Sequence, residues 1–293
     1  MDTQTAPALA DTLGLNPDQS RLHAITGGSI ARAYRLEDER RRVFIKVLDR
    51  DRRAILDAER HGLARLAEAT AIATPRIIGQ GEIDRVCWLA FEWLEMRVPD
   101  TDCFARLGVQ LHQLHRHRGS GFGLERNNFI GLTPQVNDES EDWSDFFINR
   151  RLRPQIERLA ERHRNFDESL IEALAESWRH AFDGYQPEPC LLHGDLWSGN
   201  VAMLADGRPV VFDPAVHFGD RECDLAMADL FGGFDVAFFD AYRGHWPLES
   251  GWRERRRFYQ LYHLLNHANL FAGHYLDICR KLIGDLVDHA RVA

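Results

Sequence analysis

Residues 190–213, CLLHGDLWSGNVAMLADGRPVVFD, place three polar side chains at fixed offsets among apolar, strand-like runs. Asp195 follows a His-Gly pair, Asn200 comes five residues later, and Asp213 closes the apolar run that begins just after Asp206-Gly207. Asp-Gly between two apolar runs is a hairpin turn signal. The spacing therefore predicts a hairpin, Val201 to Leu204 and Pro209 to Phe212, whose ends bring Asn200 and Asp213 together.

That order matches the H-R-D-x-x-x-x-N and D-F-G parts of the kinase constellation, with Gly194 for Arg and Asp213-Pro214 for Asp-Phe-Gly. Phosphoryl transfer asks a carboxylate to receive the proton of the attacking hydroxyl, and hard oxygen ligands to hold magnesium against the triphosphate of ATP. Asp195 suits the first task, and Asn200 with Asp213 the second. The plainer reading is a hairpin with polar ends, but the strand and loop context that the pattern requires is present here.

Only two of the 36 basic residues are lysines, Lys46 and Lys281. Lys46 lies in Val43-Phe44-Ile45-Lys46-Val47-Leu48, a β-branched and aromatic run that reads as a strand. A lysine snorkelling from an edge strand is one explanation. The other is an ammonium aimed at the α and β phosphates, as in the V-A-I-K strand of kinases. Its expected partner is Glu59, in a segment (Asp51 to Ala69) whose Ile55, Leu56, Leu63 and Leu66 suit an amphipathic helix. Upstream, Ile25-Thr26-Gly27-Gly28-Ser29-Ile30 would serve as a glycine-rich turn over the phosphates. Paired glycines are ordinary turn punctuation, so Gly27, Gly28 and Ser29 draw their meaning from preceding Lys46.

Residues 21–48 and 75–91 read as strands around one long helix, which makes a small sheet lobe over residues 1–95. Phe91-Glu92-Trp93-Leu94-Glu95 then leaves the last strand as a hinge, where backbone groups around Glu92, Trp93 and Leu94 could meet an adenine. The rest, 96–293, reads as mainly helical: Asp102 to His117, then 142–163, 166–182, 224–244 and 252–290. The expectation is a two-lobed α+β, protein-kinase-like fold.

A net charge of -9 argues against a nucleic-acid surface. No apolar run is long enough for a membrane span, and MDTQTAPALADTLG lacks the basic and apolar regions of a signal peptide. Five scattered cysteines fit reduced packing residues in the cytoplasm better than disulfides or a zinc site. His112, His115 and His117 near a helix end, and His263 with His267 one turn apart, lack the further ligands a metal needs; solvated or packing roles are expected. Trp143, Phe146 and Phe147 at helical spacing read as core.

With these residues in view, the chain resembles the fructosamine kinase (ketosamine 3-kinase) family over nearly its whole length. Choline kinases and aminoglycoside phosphotransferases share the catalytic skeleton. The more discriminating matches are Asn128-Phe129-Ile130-Gly131, Pro134-Gln135-x-Asn137, Trp143-x-x-Phe146-Phe147, Arg150-Arg151-Leu152-x-Pro154, Leu196-Trp197-Ser198-Gly199-Asn200, Phe212-Asp213-Pro214-Ala215 and Glu222-x-Asp224-Leu225-Ala226. The resemblance implies an enzyme that uses ATP and Mg2+ to phosphorylate the 3-hydroxyl of a ketoamine, free or protein-bound, after which the adduct decays and the amine is repaired. It implies Asp195 as proton acceptor, Asn200 and Asp213 as metal ligands, Lys46 with Glu59 as phosphate anchor, and Glu92 to Leu94 as adenine hinge. Asp224 would brace the catalytic loop, and Trp197 is the candidate surface under the sugar.

One stretch departs from the family pattern. Val216-His217-Phe218-Gly219-Asp220-Arg221-Glu222 stands where relatives commonly have a Tyr-Gly-His-Arg-Glu sequence, so a phenol is lost and a carboxylate replaces a histidine, which leaves the sugar open. The alternatives are a small-molecule kinase of the aminoglycoside or choline type, distinguished by whether residues 128–154 line the acceptor site, and a nucleotide-binding pseudokinase. Retention of Lys46, Asp195, Asn200 and Asp213 argues against the latter, and the absent A-P-E segment against a protein kinase. The sequence is silent on oligomeric state.

Overall fold

The structure is a computed structural model that describes residues 5–26 and 30–290. The predicted glycine-rich turn, Gly27, Gly28 and Ser29, lies outside the described residues. Helix α1 (Ala6–Thr12) comes first, followed by strands β1 (Arg21–Ile25), β2 (Arg32–Glu37) and β3 (Arg42–Asp49), helix α2 (Arg53–Ala69), and strands β4 (Ile77–Ile83) and β5 (Val86–Glu92). The strands form one antiparallel sheet in the order β1-β2-β3-β5-β4. Side chains alternate across a strand, so Val43, Ile45 and Val47 all point to one face, where Leu9 and Ala10 of α1 and Leu13 just after it cover them. Lys46 therefore points to the opposite face. There α2 packs Leu56 and Leu63 against Leu89 and Phe91, and Glu59 shares that side of the helix because residues three and four apart are neighbours. Helix α1 was not foreseen from the sequence; it is short and takes its stability from this packing.

Strand β6 (Met96–Arg97) follows the hinge, then helix α3 (Thr101–His115), strands β7 (Asn128–Ile130) and β8 (Thr133–Gln135), and helices α4 (Trp143–Phe147), α5 (Arg153–Ala160) and α6 (Glu168–Ala181). Next come β9 (Cys190–Leu192), β10 (Val201–Leu204), β11 (Pro209–Val211) and β12 (His217–Gly219), and helices α7 (Glu222–Leu230), α8 (Val236–His245), α9 (Trp252–Phe271) and α10 (His274–Ala290). The predicted hairpin forms as β10 with β11, and β10 also pairs with β6, which ties the hinge to the catalytic segment. Beneath lies an aromatic core in which Trp143, Phe146 and Phe147 pack with Trp178 and Tyr259, as the sequence suggested. Among the described residues no helix is long and apolar enough to cross a membrane.

Two predicted helices are each broken in two. The span 224–244 divides at 231–235, where Gly232 and Gly233 take φ of 70° and 88°, a conformation that cannot continue a right-handed helix. Asp235 then caps α8 by accepting the Ala237 amide. The span 252–290 divides at Ala272 and Gly273, with φ of 51° and 62°. Segment 142–163 runs as α4, a wide π turn at Ile148–Leu152, and α5.

Helices α3 and α8 approach so closely at Gly108 that a Cβ there would lie 2.2 Å from the Phe238 carbonyl oxygen. Gly108→Ala should therefore cost about 1–3 kcal/mol of stability through overpacking. A denaturant midpoint equal to that of the unmodified protein would contradict this packing.

Candidate active site

The catalytic segment leaves β9 and turns at once. The amide N–H groups of His193 and Gly194 donate to the two oxygens of Asp224 on α7, each at 2.8 Å. His115 Nε2 meets the same carboxylate at 3.2 Å, and its Nδ1 lies 2.8 Å from the Tyr242 hydroxyl. Burial alone would raise the Asp224 carboxyl, but His115 and these amides outweigh it and hold the group below its ordinary range. Burial keeps His115 itself below its usual value. A neutral ring protonated on Nε2 satisfies both contacts, donating to Asp224 and accepting from Tyr242.

Gly194 is required where it stands. Its φ is +82°, and a Cβ would fall 2.1 Å from the Ala215 carbonyl oxygen. His193 closes the same gap: the Ala215 amide donates to its carbonyl at 2.9 Å, and its Nε2 lies 3.1 Å from the Phe212 carbonyl oxygen. With that carbonyl as acceptor Nε2 carries the proton, which leaves Nδ1 to accept the Asp195 amide at 3.3 Å. The catalytic segment and the end of β11 are thus fastened side by side.

Asp195 and Asn200 meet across this loop. Asn200 Nδ2 donates to the Asp195 carbonyl at 3.0 Å and to its carboxylate at 3.2 Å, and reaches the Asp213 carbonyl at 3.5 Å. Burial, reinforced by the Asp213 charge and opposed by Asn200, pushes the Asp195 carboxyl up to about 7. Asp213 holds φ at +56°, a left-handed conformation that Asp tolerates better than most residues. Its side chain turns toward the sheet lobe and pairs with Lys46, whose Nζ also lies 2.7 Å from Glu59 Oε1. Burial would lower the Lys46 ammonium, but Glu59 and Asp213 together raise it. Burial raises Glu59, against the pull of Lys46; for Asp213 Lys46 overcomes burial, and the carboxyl is lowered. On α2, Gly62 permits the approach, since a Cβ there would lie 3.1 Å from Pro214 Cγ. The structure thus brings Lys46, Glu59, Asp195, Asn200 and Asp213 together from both lobes.

A model of the fructosamine kinase family matches residues 1–289. The chain belongs to the fructosamine kinase family. It is 39% identical to a probable ketoamine kinase of Synechocystis sp. PCC 6803 over 261 residues, 89% of this chain and 88% of the relative. A crystal structure of a presumed fructosamine-3-kinase from Haemophilus somnus 129PT superposes with a TM-score of 0.86 at 29% identity, covering 96% of each chain. The aminoglycoside phosphotransferase APH(4)-Ia, at 18% identity and a TM-score of 0.58 over 97% of this chain and 96% of its own, shares the fold. Membership of the fructosamine kinase family makes this chain an ATP-dependent phosphotransferase.

Residues in the motifs that carry the resemblance to the fructosamine kinase family form a buried polar support under the Asp213 turn. Asn128 Nδ2 donates to the Val216 carbonyl at 2.7 Å; Gln135 and Asn137 donate to Asn128 Oδ1 at 2.8 Å and 2.9 Å. Arg151 donates to Asn137 Oδ1 at 2.7 Å and stacks over Phe146, and Tyr262 donates to Gln135 at 2.6 Å. Asn128, Gln135, Asn137 and Arg151 are all buried, so these side chains hold the turn after Asp213 rather than line an open pocket. The departure from the family pattern is structural as well. Asp220 is buried and accepts from the hydroxyls of Tyr185 and Tyr259, and buried His217 stacks on Phe146.

Of the hinge residues, Glu92 gives its amide to the Arg76 carbonyl at 3.0 Å and accepts the Arg76 amide on its carboxylate. Trp93 turns its indole N–H to Glu95 at 3.0 Å, while the Leu94 amide donates to no described residue. Trp197 is exposed beside the catalytic loop. His115 takes the packing role, one of the two the sequence left open for it, but its bond to Asp224 was not foreseen. The signal for its burial was present, because it lies four residues after the core residue Leu111 and so on the same helix face.

His115→Phe should leave Asp224 short of one donor in a buried setting, at a cost of about 1–3 kcal/mol, whereas exposed His117→Ala should be nearly silent. Equal melting temperatures for the two variants would remove His115 from the loop's support.

Proposed function

We propose that the chain phosphorylates the 3-hydroxyl of a ketoamine, using ATP and Mg2+, and so initiates removal of the sugar from the amine. The observation that carries this reading is the convergence of Asp195, Asn200 and Asp213 with the Lys46–Glu59 pair in a chain of this family. Asp195 receives the hydroxyl proton as the new O3–phosphorus bond forms and the bond to the ADP oxygen breaks. Lys46, held by Glu59, steers the phosphates, and Glu92, Trp93 and Leu94 border the adenine, with the free Leu94 amide as the donor.

The donor set suits magnesium, which favours oxygen ligands and completes its shell with water and phosphate oxygens rather than an all-protein cage. Asn200 Oδ1 and the Asp213 carboxylate would hold it. When bound it neutralises charge on the transferring phosphoryl group. Trp197 offers a flat face and an indole N–H to a sugar that presents both C–H and hydroxyl groups. Once phosphate is on C3, loss of a C1 proton and of phosphate leaves an imine at C1, and water hydrolyses it to free the amine. A cytoplasmic setting accords with five free, buried cysteines.

An ATP-consumption assay across glycated amino acids, choline and aminoglycosides tests the reading, with turnover expected on the glycated amines. Asp195→Asn should keep the fold and lower kcat by about 10²–10⁴; activity within a few fold of the unmodified protein would exclude Asp195 as base.

The acid limb gives a separate test. A base must be ionised, so kcat/KM should drop about tenfold per pH unit below about 7, where Asp195 gains its proton, and level off above. A flat profile from about pH 5.5 to 8 would contradict the assignment.

Lys46→Arg separates anchoring from snorkelling. A planar guanidinium does not replace a compact ammonium between two carboxylates, so activity should fall while the melting temperature barely moves. Full activity would return Lys46 to the snorkelling role.

A further inference from the structure

A run of rings leads away from the catalytic loop. Trp197, 38% exposed, lies against Gly199, where a Cβ would fall 2.2 Å from its ring. Phe231, also 38% exposed, stands edge-on to Trp197 with centroids 6.5 Å apart. His267 follows at 4.8 Å from Phe231, and Phe271 and Tyr275 lie 5.6 Å and 5.1 Å beyond His267. The break in the predicted helix 224–244 is what frees Phe231 from helical packing, and Gly233 in that break leaves so little room that a Cβ would lie 2.6 Å from Ser198 Oγ. Near the far end, a Cβ on Gly131 would touch Ile30 of the sheet lobe and Leu270, the chain neighbour of Phe271, alike at 3.2 Å, so this end lies close to where the lobes meet.

His267 gives the ledge a direction. Its Nδ1 lies 2.9 Å from the His263 carbonyl oxygen, which can only accept, so Nδ1 carries the proton. Burial holds the ring below its ordinary pKa, and in the neutral ring Nε2 is an acceptor. It sits at the end of the ring away from the helix backbone and has no partner among the described residues.

We infer that the Phe231–His267 ledge is the subsite for the amine half of the ketoamine, and selects adducts of alkyl amines that end in a hydrogen-bond donor. This rests on the ketoamine reading. A ketoamine has two unlike halves. The sugar is fixed by its hydroxyl at Asp195, and the secondary amine beyond C1 is a cation at neutral pH followed by carbon. Aromatic faces attract such a cation and cover the methylene groups behind it. The Nε2 lone pair then accepts from a terminal ammonium, as a lysine or diamine adduct provides.

Three fructosyl adducts, of glycine, butylamine and 1,4-diaminobutane, are compared by kcat/KM in the unmodified protein, Phe231→Ala and His267→Phe. Phe231→Ala should lower the preference for both four-carbon adducts over the glycine adduct about tenfold. His267→Phe keeps a ring but removes the acceptor, so it should lower only the preference for the diamine adduct over the butylamine adduct. Preference ratios unchanged in both variants, with fructosyl adducts still phosphorylated, would overturn the ledge and leave the ketoamine reading standing. Absence of turnover on every fructosyl adduct by the unmodified protein would overturn both.

Discussion

The arrangement depends first on one buried carboxylate. Asp224 accepts the His193 and Gly194 amides and the His115 ring, and so fixes the backbone at the point where β9 ends and Asp195 follows. Buried backbone N–H groups without partners are costly, so the turn has one low-energy shape. Its position near the start of α7 favours the negative charge further. With that turn set, Gly194 abuts Ala215, and the distance between Asp195 and the Asp213 strand follows from backbone contacts rather than from long side chains.

The second constraint joins the lobes. Strand β6, just past the hinge, is anchored to β10, and Gly62 lets α2 of the sheet lobe approach Pro214. The Lys46 cation then bridges Glu59 and Asp213. Two carboxylates from different lobes facing one ammonium hold the lobes together at this point. The polar support from Asn128 to Arg151 serves the same end from below, by holding the carbonyls of Ala215 and Val216.

Much of this was legible in the sequence because it is written in local patterns. The hairpin ends at Asn200 and Asp213 followed from the Asp206-Gly207 turn, and the pairing of Lys46 with Glu59 from the likeness of the Lys46 strand to the V-A-I-K strand of kinases, set before an amphipathic helix. What was not legible depends on long-range burial. His115 could be solvated or packed until α8 and α7 are known to cover it. Whether the segment 128–154 lines an acceptor site stays open until the hydrogen bonds of Asn128, Gln135 and Asn137 are seen to close on one another. The Phe231 break is different, since Gly232-Gly233 is itself a turn signal; it was missed because the apolar residues on either side were read as one helix.

The position of the new phosphate tests the account most directly. Purified protein, ATP, magnesium and a fructosyl amine would be incubated and the product followed by phosphorus–proton correlation NMR. The account predicts a phosphorus signal coupled to the proton on C3 of the sugar, followed by release of inorganic phosphate and free amine as that signal decays. Phosphate on another hydroxyl, or a stable 3-phosphate that keeps its amine, would contradict it.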